Sequence, residues 1–301
     1  MGKIFVVGSV NMDIVINVDR MPKNGETISG YGFMTNPGGK GANQAVASAK
    51  MGTQTFMVGC IGNDVFGQEL NQALIGYGVN TDFLTKTQGA SGIAVIVVEN
   101  GDNRIILDAG ANHKITKEMV DKALEPAQKG DIVICQLEIP LDIVEYTLKT
   151  AKQKELITIL NPAPAVKLGK KILSNCDIIV LNETECEILA GVYPNNEGDY
   201  KKAYQIFSNF GITTLIITLG SKGSVLLQKD VIEYIPAQKV KALDTTSAGD
   251  TFLGSLASEL SKGKTMVEAM QWGSKASALT VTKKGAMQSI PYYEDVVKYF
   301  G

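Results

Sequence analysis

The residues best suited to chemistry lie in residues 244–252, a run of small side chains that contains two aspartates. Small residues followed by an apolar stretch predict a turn that opens a helix, with Asp250 in its first turn. The N–H groups there have no intrahelical partner, and together with the helix dipole they attract anions. A carboxylate beside such a turn suits a phosphoryl transfer in which Asp250 takes a proton from a hydroxyl. Aspartate also caps many helices, so such a segment taken alone is more often structural.

A second motif, glycine-rich, spans residues 38–43. It is not a Walker A loop, because Lys40 is followed by Gly41 and not by Ser or Thr. It is not a dinucleotide fingerprint either, because Gln44 stands where the third glycine is required. What remains is a glycine turn that presents backbone amides, Lys40 and Asn43 at the start of a helix. Such a turn suits a neutral polyol or an anion, and a tight turn with packing glycines is the alternative.

Polar side chains also follow two apolar strands. Asn11 and Asp13 come after the first strand, and their alternation points both side chains to one side of an extended segment. Carboxylate and amide together offer acceptors and donors for vicinal hydroxyls. Glu138 ends another apolar strand and is a candidate third member. For either group taken alone, ordinary strand-end polarity is the commoner explanation.

Two further strand ends carry polar motifs. Asn182 and Glu185 start a helix, and they suit phosphate contact and a magnesium-bound water, or else a plain helix cap with first-turn acids. Residues 218–223 carry two glycines and two hydroxyls. They suit nucleotide phosphates that approach the backbone, or a hairpin turn into residues 224–228. Five polar or glycine-rich motifs, at the ends of five predicted strands or the helix starts beside them, are hard to explain by turns alone.

Apolar strands alternate with helices along most of the chain, which predicts a mostly parallel sheet covered on both faces. The predicted strands are residues 4–7, 55–58, 131–136, 156–160, 177–181 and 214–219. The predicted helices are residues 42–51, 65–77, 141–152, 183–190, 200–210, 251–260, 265–282 and 292–300.

Two segments depart from this alternation. Residues 14–18 with 26–33, and residues 92–98 turning through an Asn-Gly pair into 104–107, have the pattern of β-hairpins. They predict one small sheet that is either a lid over a site or an ordinary sheet extension. With no repeat or linker in sight, residues 1–301 are expected to form a single domain with this appended sheet.

Composition narrows the function classes. The chain has 301 residues, 45% of them hydrophobic and 20% charged, with a formal net charge of -2. These are ordinary globular values, and they give no hint of a nucleic-acid or bulk-membrane partner. The first apolar run is too short for a signal peptide, and no run approaches the roughly 20 residues that cross a bilayer. A cytoplasmic location is therefore expected.

Cysteine and histidine usage excludes two kinds of site. The four cysteines show no CxxC spacing, so reduced thiols that pack as small hydrophobes are expected. The single histidine, His113, makes a histidine-rich metal site impossible, and its polar loop predicts a solvated residue. Catalysis must therefore use carboxylates, backbone amides, lysines and any bound metal.

These motifs resemble those of the ribokinase-like (PfkB) carbohydrate kinase family along essentially the whole chain, from residues 8–13 to residues 282–286. Residues 38–43 and 244–250 resemble the two family signatures, which together are highly specific. The resemblance implies an α/β fold, a three-layer α/β/α sandwich with a small β-sheet lid. It also implies use of ATP and Mg²⁺ to phosphorylate a sugar hydroxyl.

The resemblance also assigns roles by position. Asp250 would be the general base, and the amides of Ser247, Ala248, Gly249 and Asp250 would form an anion hole. The implied sugar-binding residues are Asn11, Asp13, Gly39, Lys40, Gly41, Ala42, Asn43, Glu138 and Asp250. The implied ATP-site residues are Asn182, Thr218, Leu219, Gly220, Ser221, Lys222, Gly223, Gly249, Asp250 and, on the adenine side, Ser274, with Glu185 supporting Mg²⁺.

A monovalent-cation site for K⁺ beside the anion hole is implied as well. Its ligands would be the Asp244 carboxylate, the Ser289 hydroxyl and the carbonyls of Thr246, Thr280, Lys283 and Gly285. A homodimer through the lid is expected on the same ground. Relatives act on ribose, deoxyribose, fructose, nucleosides or keto-deoxy acids. Asn11 beside Asp13 resembles the D-ribose-specific pattern, and phosphorylation at the 5-hydroxyl is the leading hypothesis. Another sugar or nucleoside kinase, and a catalytically silent sugar sensor, remain as alternatives.

Overall fold

The computed structural model describes residues 2–100 and 102–301. In chain order, its strands are β1 (Ile4–Val7), β2 (Asn11–Val18), β3 (Tyr31–Gly38), β4 (Thr55–Gly62), β5 (Leu84–Thr87), β6 (Gly92–Glu99), β7 (Asp102–Asp108), β8 (Ile132–Cys135), β9 (Ile157–Leu160), β10 (Ile178–Asn182), β11 (Thr214–Thr218), β12 (Ser224–Gln228) and β13 (Val231–Ile235). The α-helices are α1 (Lys40–Lys50), α2 (Val65–Gly76), α3 (Lys117–Leu124), α4 (Leu141–Gln153), α5 (Lys170–Leu173), α6 (Glu183–Ala190), α7 (Glu197–Ser208), α8 (Ala248–Ser261), α9 (Met266–Thr280) and α10 (Tyr293–Phe300).

The main sheet is mostly parallel and has helices on both faces. Its order in the described chain is β13-β12-β11-β10-β9-β8-β1-β4-β5, and only β12 and β13 pair antiparallel with their neighbours. Side chains alternate along β1, so Phe5 and Val7 join one core and Ile4 and Val6 join the other. The first core is covered by α3 to α7, and the second by α1, α2, α8 and α9. The predicted three-layer sandwich is confirmed.

A second sheet has the order β3-β2-β6-β7, with β2 and β6 parallel and both outer pairs antiparallel. The predicted strand 26–33 is wrong in its bounds, because residues 26–30 are not a strand and β3 begins at Tyr31. Likewise, β2 begins at Asn11 and not at residue 14. The predicted hairpin between β6 and β7 is present, although Gly101 of its Asn-Gly pair lies outside the described residues.

Close packing of α1 on α8 sets the position of the site. A Cβ added at Gly254 of α8 would lie 2.5 Å from the Ala47 Cβ and 2.5 Å from the Gln44 carbonyl, so the glycine is needed for this approach. The Ser48 hydroxyl of α1 donates to the Gly254 carbonyl at 3.0 Å. The N-terminal turns of the two helices therefore lie side by side. Within the described chain, no helix has the length and apolar character that a membrane span requires.

The cysteines and the sole histidine follow their predicted environments. All four cysteines lie in the described part of the chain, where they are buried and unpaired. Burial raises the pKa of the Cys60 thiol to about 11 and that of Cys186 to about 12, which makes these thiols unreactive. His113 is exposed in a short 3₁₀ turn, Gly110–Lys114.

Candidate active site

The Asp250 carboxylate is held between two amide side chains of α1. Asn43 Nδ2 donates to its Oδ2 at 3.1 Å, and Gln44 Nε2 donates to its Oδ1 at 2.9 Å. Asn43 Nδ2 also donates to the Ser247 hydroxyl at 3.0 Å. The glycine motif and the aspartate segment, about 200 residues apart in the chain, therefore meet at one carboxylate.

The turn before Asp250 presents free amides. Ser247 adopts a left-handed conformation with φ 60, and its side chain does not cap the helix. Within the described chain, the N–H groups of Gly249 and Asp250 have no hydrogen-bond acceptor. A Cβ added at Gly249 would meet nothing within 4 Å, so this glycine faces open space. The arrangement can receive an anion directly beside the carboxylate.

The glycine turn packs directly on the segment that carries Asn11 and Asp13. Gly39 has φ 91, and a Cβ there would lie 2.7 Å from the Asn11 nitrogen. A Cβ at Gly38 would lie 2.5 Å from Asp13 Oδ2. Close approach requires both glycines and conformation requires Gly39, so the tight-turn alternative holds, while the binding hypothesis stays a prediction.

Glu138 connects the strand end after β8 to both of these segments. Its Oε2 accepts from the Ser9 hydroxyl, from the Lys40 backbone N–H at 3.1 Å and from Asn11 Nδ2 at 3.4 Å. Asn11 Oδ1 accepts from Asn112 Nδ2 at 2.6 Å. The amide of Asn11 is therefore oriented, with its NH₂ group toward Glu138 and the cavity.

Charged side chains cluster around the glycine turn and the carboxylates beside it. Burial raises the pKa of Asp13 to about 7, and the negative charges of Glu138 and Asp250 add to this effect. Burial by itself would lower the pKa of Lys40, but the charges of Asp250, Glu138 and Glu185 outweigh it and raise the pKa. Lys40 is therefore a stable ammonium among carboxylates, as a site for a hydroxylated or phosphorylated ligand requires.

The predicted nucleotide-side residues lie at the ends of β10 and β11. Asn182 and Glu185 form a capping box, with N···O distances of 2.8 and 2.9 Å, so the helix-cap explanation holds for both. Burial raises the pKa of Glu185, while the charge of Lys40 lowers it and that of Asp250 raises it. Lys40 and Asp250 are therefore near enough to Glu185 to influence its pKa, although they belong to other segments of the chain.

Residues 218–223 join β11 to β12 as a hairpin with a 3₁₀ turn, Gly220–Lys222, and the glycines at both ends have positive φ. The hairpin alternative therefore holds for this turn. The turn is also exposed, so its backbone is accessible to a ligand. Ser274 of α9 is buried and donates to the Pro236 carbonyl at 3.2 Å. Its hydroxyl is committed to the chain.

Part of the implied cation site comes together beside α8. The Asp244 carboxylate accepts from the Gly285 N–H at 2.9 Å and from the Thr246 N–H at 2.9 Å. Burial would raise the pKa of Asp244, but these donors outweigh it and lower the pKa. Ser289 is fully buried, and its hydroxyl donates to the Ala286 carbonyl at 2.7 Å.

The loop with Gly285 and Ser289 is fixed from α1. The Lys50 ammonium donates to the carbonyls of Met287 and Ile290 at 2.9 and 2.8 Å. The ammonium also lies 4.1 Å from the centre of the Tyr77 ring, a cation–π distance. Thr280 and Lys283, the other implied carbonyl ligands, flank the same loop, and the Lys283 N–H donates to the Thr280 carbonyl at 3.1 Å.

A cavity of about 550 Å³ opens beside Asn11 and Glu138. Its wall also includes Asp108, Asn112 and His113, so the exposed histidine lies at its edge. Sequence reasoning did not identify Ser9, Gln44 or Asn112 as site residues. Ser9 lies inside a motif that it did examine, whereas Gln44 and Asn112 carried no signal beyond their neighbours.

Sequence comparison identifies relatives over the whole length. The pfkB family carbohydrate kinase model matches residues 1–292. The ribokinase of Haemophilus influenzae is 40% identical over 98% of this chain and 97% of its own length. The deoxyribokinase of Salmonella typhi is 35% identical over 98% of each chain.

Solved structures agree with the sequence matches. The ribokinase of Thermotoga maritima superposes with a TM-score of 0.89 at 39% identity, covering 100% of this chain and 99% of the other. The ribokinase of Arabidopsis thaliana, complexed with ribose and ATP, gives a TM-score of 0.91 at 33% identity, covering 99% and 98%. This chain belongs to the pfkB family of carbohydrate kinases.

Proposed function

We propose that this chain phosphorylates the 5-hydroxyl of D-ribose with ATP. The observation that carries the proposal is the Asp250 carboxylate, held by Asn43 and Gln44 in the same helical turn as the unpaired amides of Gly249 and Asp250. Relatives that are ribokinases at about 40% identity, with coverage of nearly the whole chain, support the choice of reaction.

The geometry suggests a simple displacement. Asp250 accepts the proton of the sugar hydroxyl, and the resulting oxygen forms a bond to the γ-phosphorus of ATP. The bond between that phosphorus and the β–γ bridging oxygen breaks, and ADP leaves with the electron pair. The amides of Ser247, Ala248, Gly249 and Asp250 hold the negative charge of the transferring group. Of these, the N–H groups of Ser247, Gly249 and Asp250 have no acceptor in the described chain, whereas the Ala248 N–H donates to the Thr245 carbonyl at 3.3 Å.

The sugar is held on the side of Asp250 that lies opposite the transferring phosphoryl group. Asn11, Asp13 and Glu138 offer acceptors and a donor to ring hydroxyls, and the Lys40 ammonium balances their charge. The oriented amide of Asn11 favours ribose over 2-deoxyribose. When the 2-hydroxyl is missing, a buried NH₂ group is left without its partner, which costs binding energy. Deoxyribokinase is the second candidate, since one relative carries that name at 35% identity.

ATP is proposed to lie over residues 218–223, with Asn182 at its phosphates. No group of three or more His, Cys, Asp or Glu side chains in the described chain could hold a metal ion. This pattern fits Mg²⁺, which binds through one or two carboxylates, water and substrate phosphates, with Glu185 in support. The all-oxygen set at Asp244, Ser289 and the neighbouring carbonyls fits K⁺, a hard monovalent cation, which would hold the turn before α8 in place.

A homodimer through the second sheet is the proposed assembly. The edge strands β3 and β7 expose large apolar side chains, among them Phe33 at 68% and Ile106 at 67%. Apolar patches of this kind mark protein interfaces. A partner sheet laid on these edges would shield them and would cover the mouth of the sugar cavity.

The test is ADP release by the purified protein with Mg²⁺ and K⁺, in the presence of ribose, 2-deoxyribose, fructose or adenosine. We expect kcat/KM to be highest for ribose, by at least about tenfold over 2-deoxyribose. A preference for another substrate would support the assignment as a kinase and would show that the proposed sugar specificity is wrong. Binding of ribose without any ADP release would favour a silent sugar sensor.

A further inference from the structure

Gln44 joins Asp250 to a chain of buried amides that extends away from the cavity. It is fully buried on α1, and its Nε2 donates to Asp250 Oδ1 at 2.9 Å and to Asn161 Oδ1 at 3.1 Å. Its Oε1 accepts from Gln136 Nε2 at 2.6 Å. Gln136 and Asn161 directly follow β8 and β9, two neighbouring strands of the main sheet. The network therefore rests on the rigid sheet.

The orientation of each amide in this chain is determined by its neighbours. Asn161 Nδ2 donates to the Val180 carbonyl at 3.1 Å, and a carbonyl can only accept. Asn161 must therefore direct its oxygen toward Gln44, which must present its NH₂ group to both Asn161 and Asp250. The oxygen of Gln44 then requires a donor, and Gln136 supplies it. No member can flip without pairing two acceptors.

This arrangement of amides has an energetic cost. The Gln136 Oε1 has no hydrogen-bond partner, and a buried polar atom without one is destabilising. Gly8 leaves space for this oxygen, since a Cβ there would lie 2.0 Å from it. An apolar core at this place would avoid the cost, so the network calls for an explanation beyond packing.

We propose that Gln44 is the positioning residue of the catalytic base, with Gln136 and Asn161 fixing the direction of its amide. This inference rests on the proposed function. Asn43 holds one carboxylate oxygen of Asp250 and Gln44 holds the other, so the plane of the carboxylate is set before any substrate arrives. Asn43 is also a proposed sugar ligand, whereas Gln44 is fully buried and has all of its polar contacts within the protein.

The test is a pre-steady-state burst measurement by rapid quench, with ribose and ATP in excess over the enzyme, on Gln44→Met, which keeps the size and removes the donor. We expect the rate constant to fall about 10- to 50-fold, as misplacement of a catalytic group does. The burst amplitude and the ribose Kd should stay within about twofold of wild type, on the order of experimental scatter. A residue that only supported the fold would lower the amplitude, because fewer molecules would be active. Thr147→Val, another buried polar side chain with no contact to the site, is the control.

Two further variants separate the alternatives. Gln136→Met removes the donor to the Gln44 oxygen, so the Gln44 amide is held less rigidly and the rate constant should fall about 3- to 10-fold, even if Gln44→Met does not fold. In an Asp250→Asn background, Gln44→Met should cause no further loss, because its effect acts through that carboxylate. An unchanged rate constant in both glutamine variants, or an additive loss in the double variant, would overturn the inference alone. A wild-type protein inactive on every sugar would overturn the proposed function and this inference with it.

Discussion

Gly285 donates its backbone N–H to the Asp244 carboxylate at 2.9 Å, which joins the loop after α9 to the segment that leads into α8. The same carboxylate accepts the Thr246 N–H two residues along. The turn that presents the amides of Gly249 and Asp250 is therefore tied to a distant loop through one carboxylate. A cation bound at this junction would act on the turn and not on the substrates directly.

Replacement of Asp244 by Asn should raise the KCl concentration for half-maximal activity by about tenfold, because the charged ligand is lost while a hydrogen-bond acceptor remains. Activity is measured against KCl at constant ionic strength, with NaCl as the balancing salt. We expect K⁺ to activate the wild-type protein far more than Na⁺. Asp230→Asn, an exposed carboxylate, is the matched control. Equal rates in both salts would contradict the cation site.

Replacement of Asp250 by Asn should lower kcat by about 10²–10⁴, the usual contribution of a positioned general base. Because the shape of the residue is unchanged, ribose binding should persist. Calorimetry measures that binding. Turnover close to that of the wild type would refute the assignment of the base.

Replacement of Asn11 by Leu should erase the discrimination between ribose and 2-deoxyribose. The kcat/KM for ribose should fall about 10²-fold, while that for 2-deoxyribose changes by less than about threefold, since among the sugar hydroxyls only the 2-hydroxyl is proposed to accept from the lost donor. Met12→Leu is the control, because Met12 is fully buried in the core on the other side of the strand. A proportional fall for both sugars would mean that Asn11 serves the fold or another hydroxyl.

Replacement of Asp13 by Asn should stabilise the free protein above neutral pH while it abolishes sugar binding. The pKa of Asp13 is raised from 3.8 to about 7, so between these values the folded chain holds a proton that the unfolded chain has lost. The contribution of Asp13 to stability therefore falls as pH rises to about 7 and stays constant above it. We expect a gain in Tm of about 2–5 °C at pH 8 and less than about 1 °C at pH 4. Asp19→Asn, at an exposed carboxylate, is the control.

Replacement of Phe33 and Ile106 by Asp should convert a dimer to a monomer, as measured by light scattering at several protein concentrations. Charges on both edge strands oppose the burial of an apolar interface. Val65→Asp, on a side chain 76% exposed in α2 and outside the second sheet, is the control. A wild-type protein that is monomeric at every concentration would contradict the proposed assembly.

The sequence predicts the main sheet well because its strands and helices leave local signals. Apolar runs such as β1 and helix starts such as α6 are visible in a few consecutive residues. β3 was misplaced because its eight residues include Pro37 and two glycines, which disfavour strands. An edge strand tolerates them, and β3 lies at an edge.

Gln44 shows why part of the site is beyond sequence reasoning. Its partners lie 92, 117 and 206 residues away in the chain, and a buried amide has no periodicity that marks it. The same holds for Asn112, whose partner Asn11 lies 101 residues away. Chemistry-bearing residues can be read from motifs, whereas the residues that orient them emerge only from the fold.

The inner end of the second sheet adjoins the proposed sugar site. Asn11 pairs with Gly38 on one side and with Gly92 on the other, and a Cβ at either glycine would collide with site side chains. The register of the second sheet is therefore locked at this inner end by residues of the proposed site. At the outer end the close approaches, at Gly30 and Gly32, are to Ile16 and Asn17, which lie outside that site. Insertions, deletions and surface substitutions at the outer ends of these strands should therefore leave sugar recognition undisturbed. New subunit assemblies can most readily evolve, or be engineered, at these outer ends.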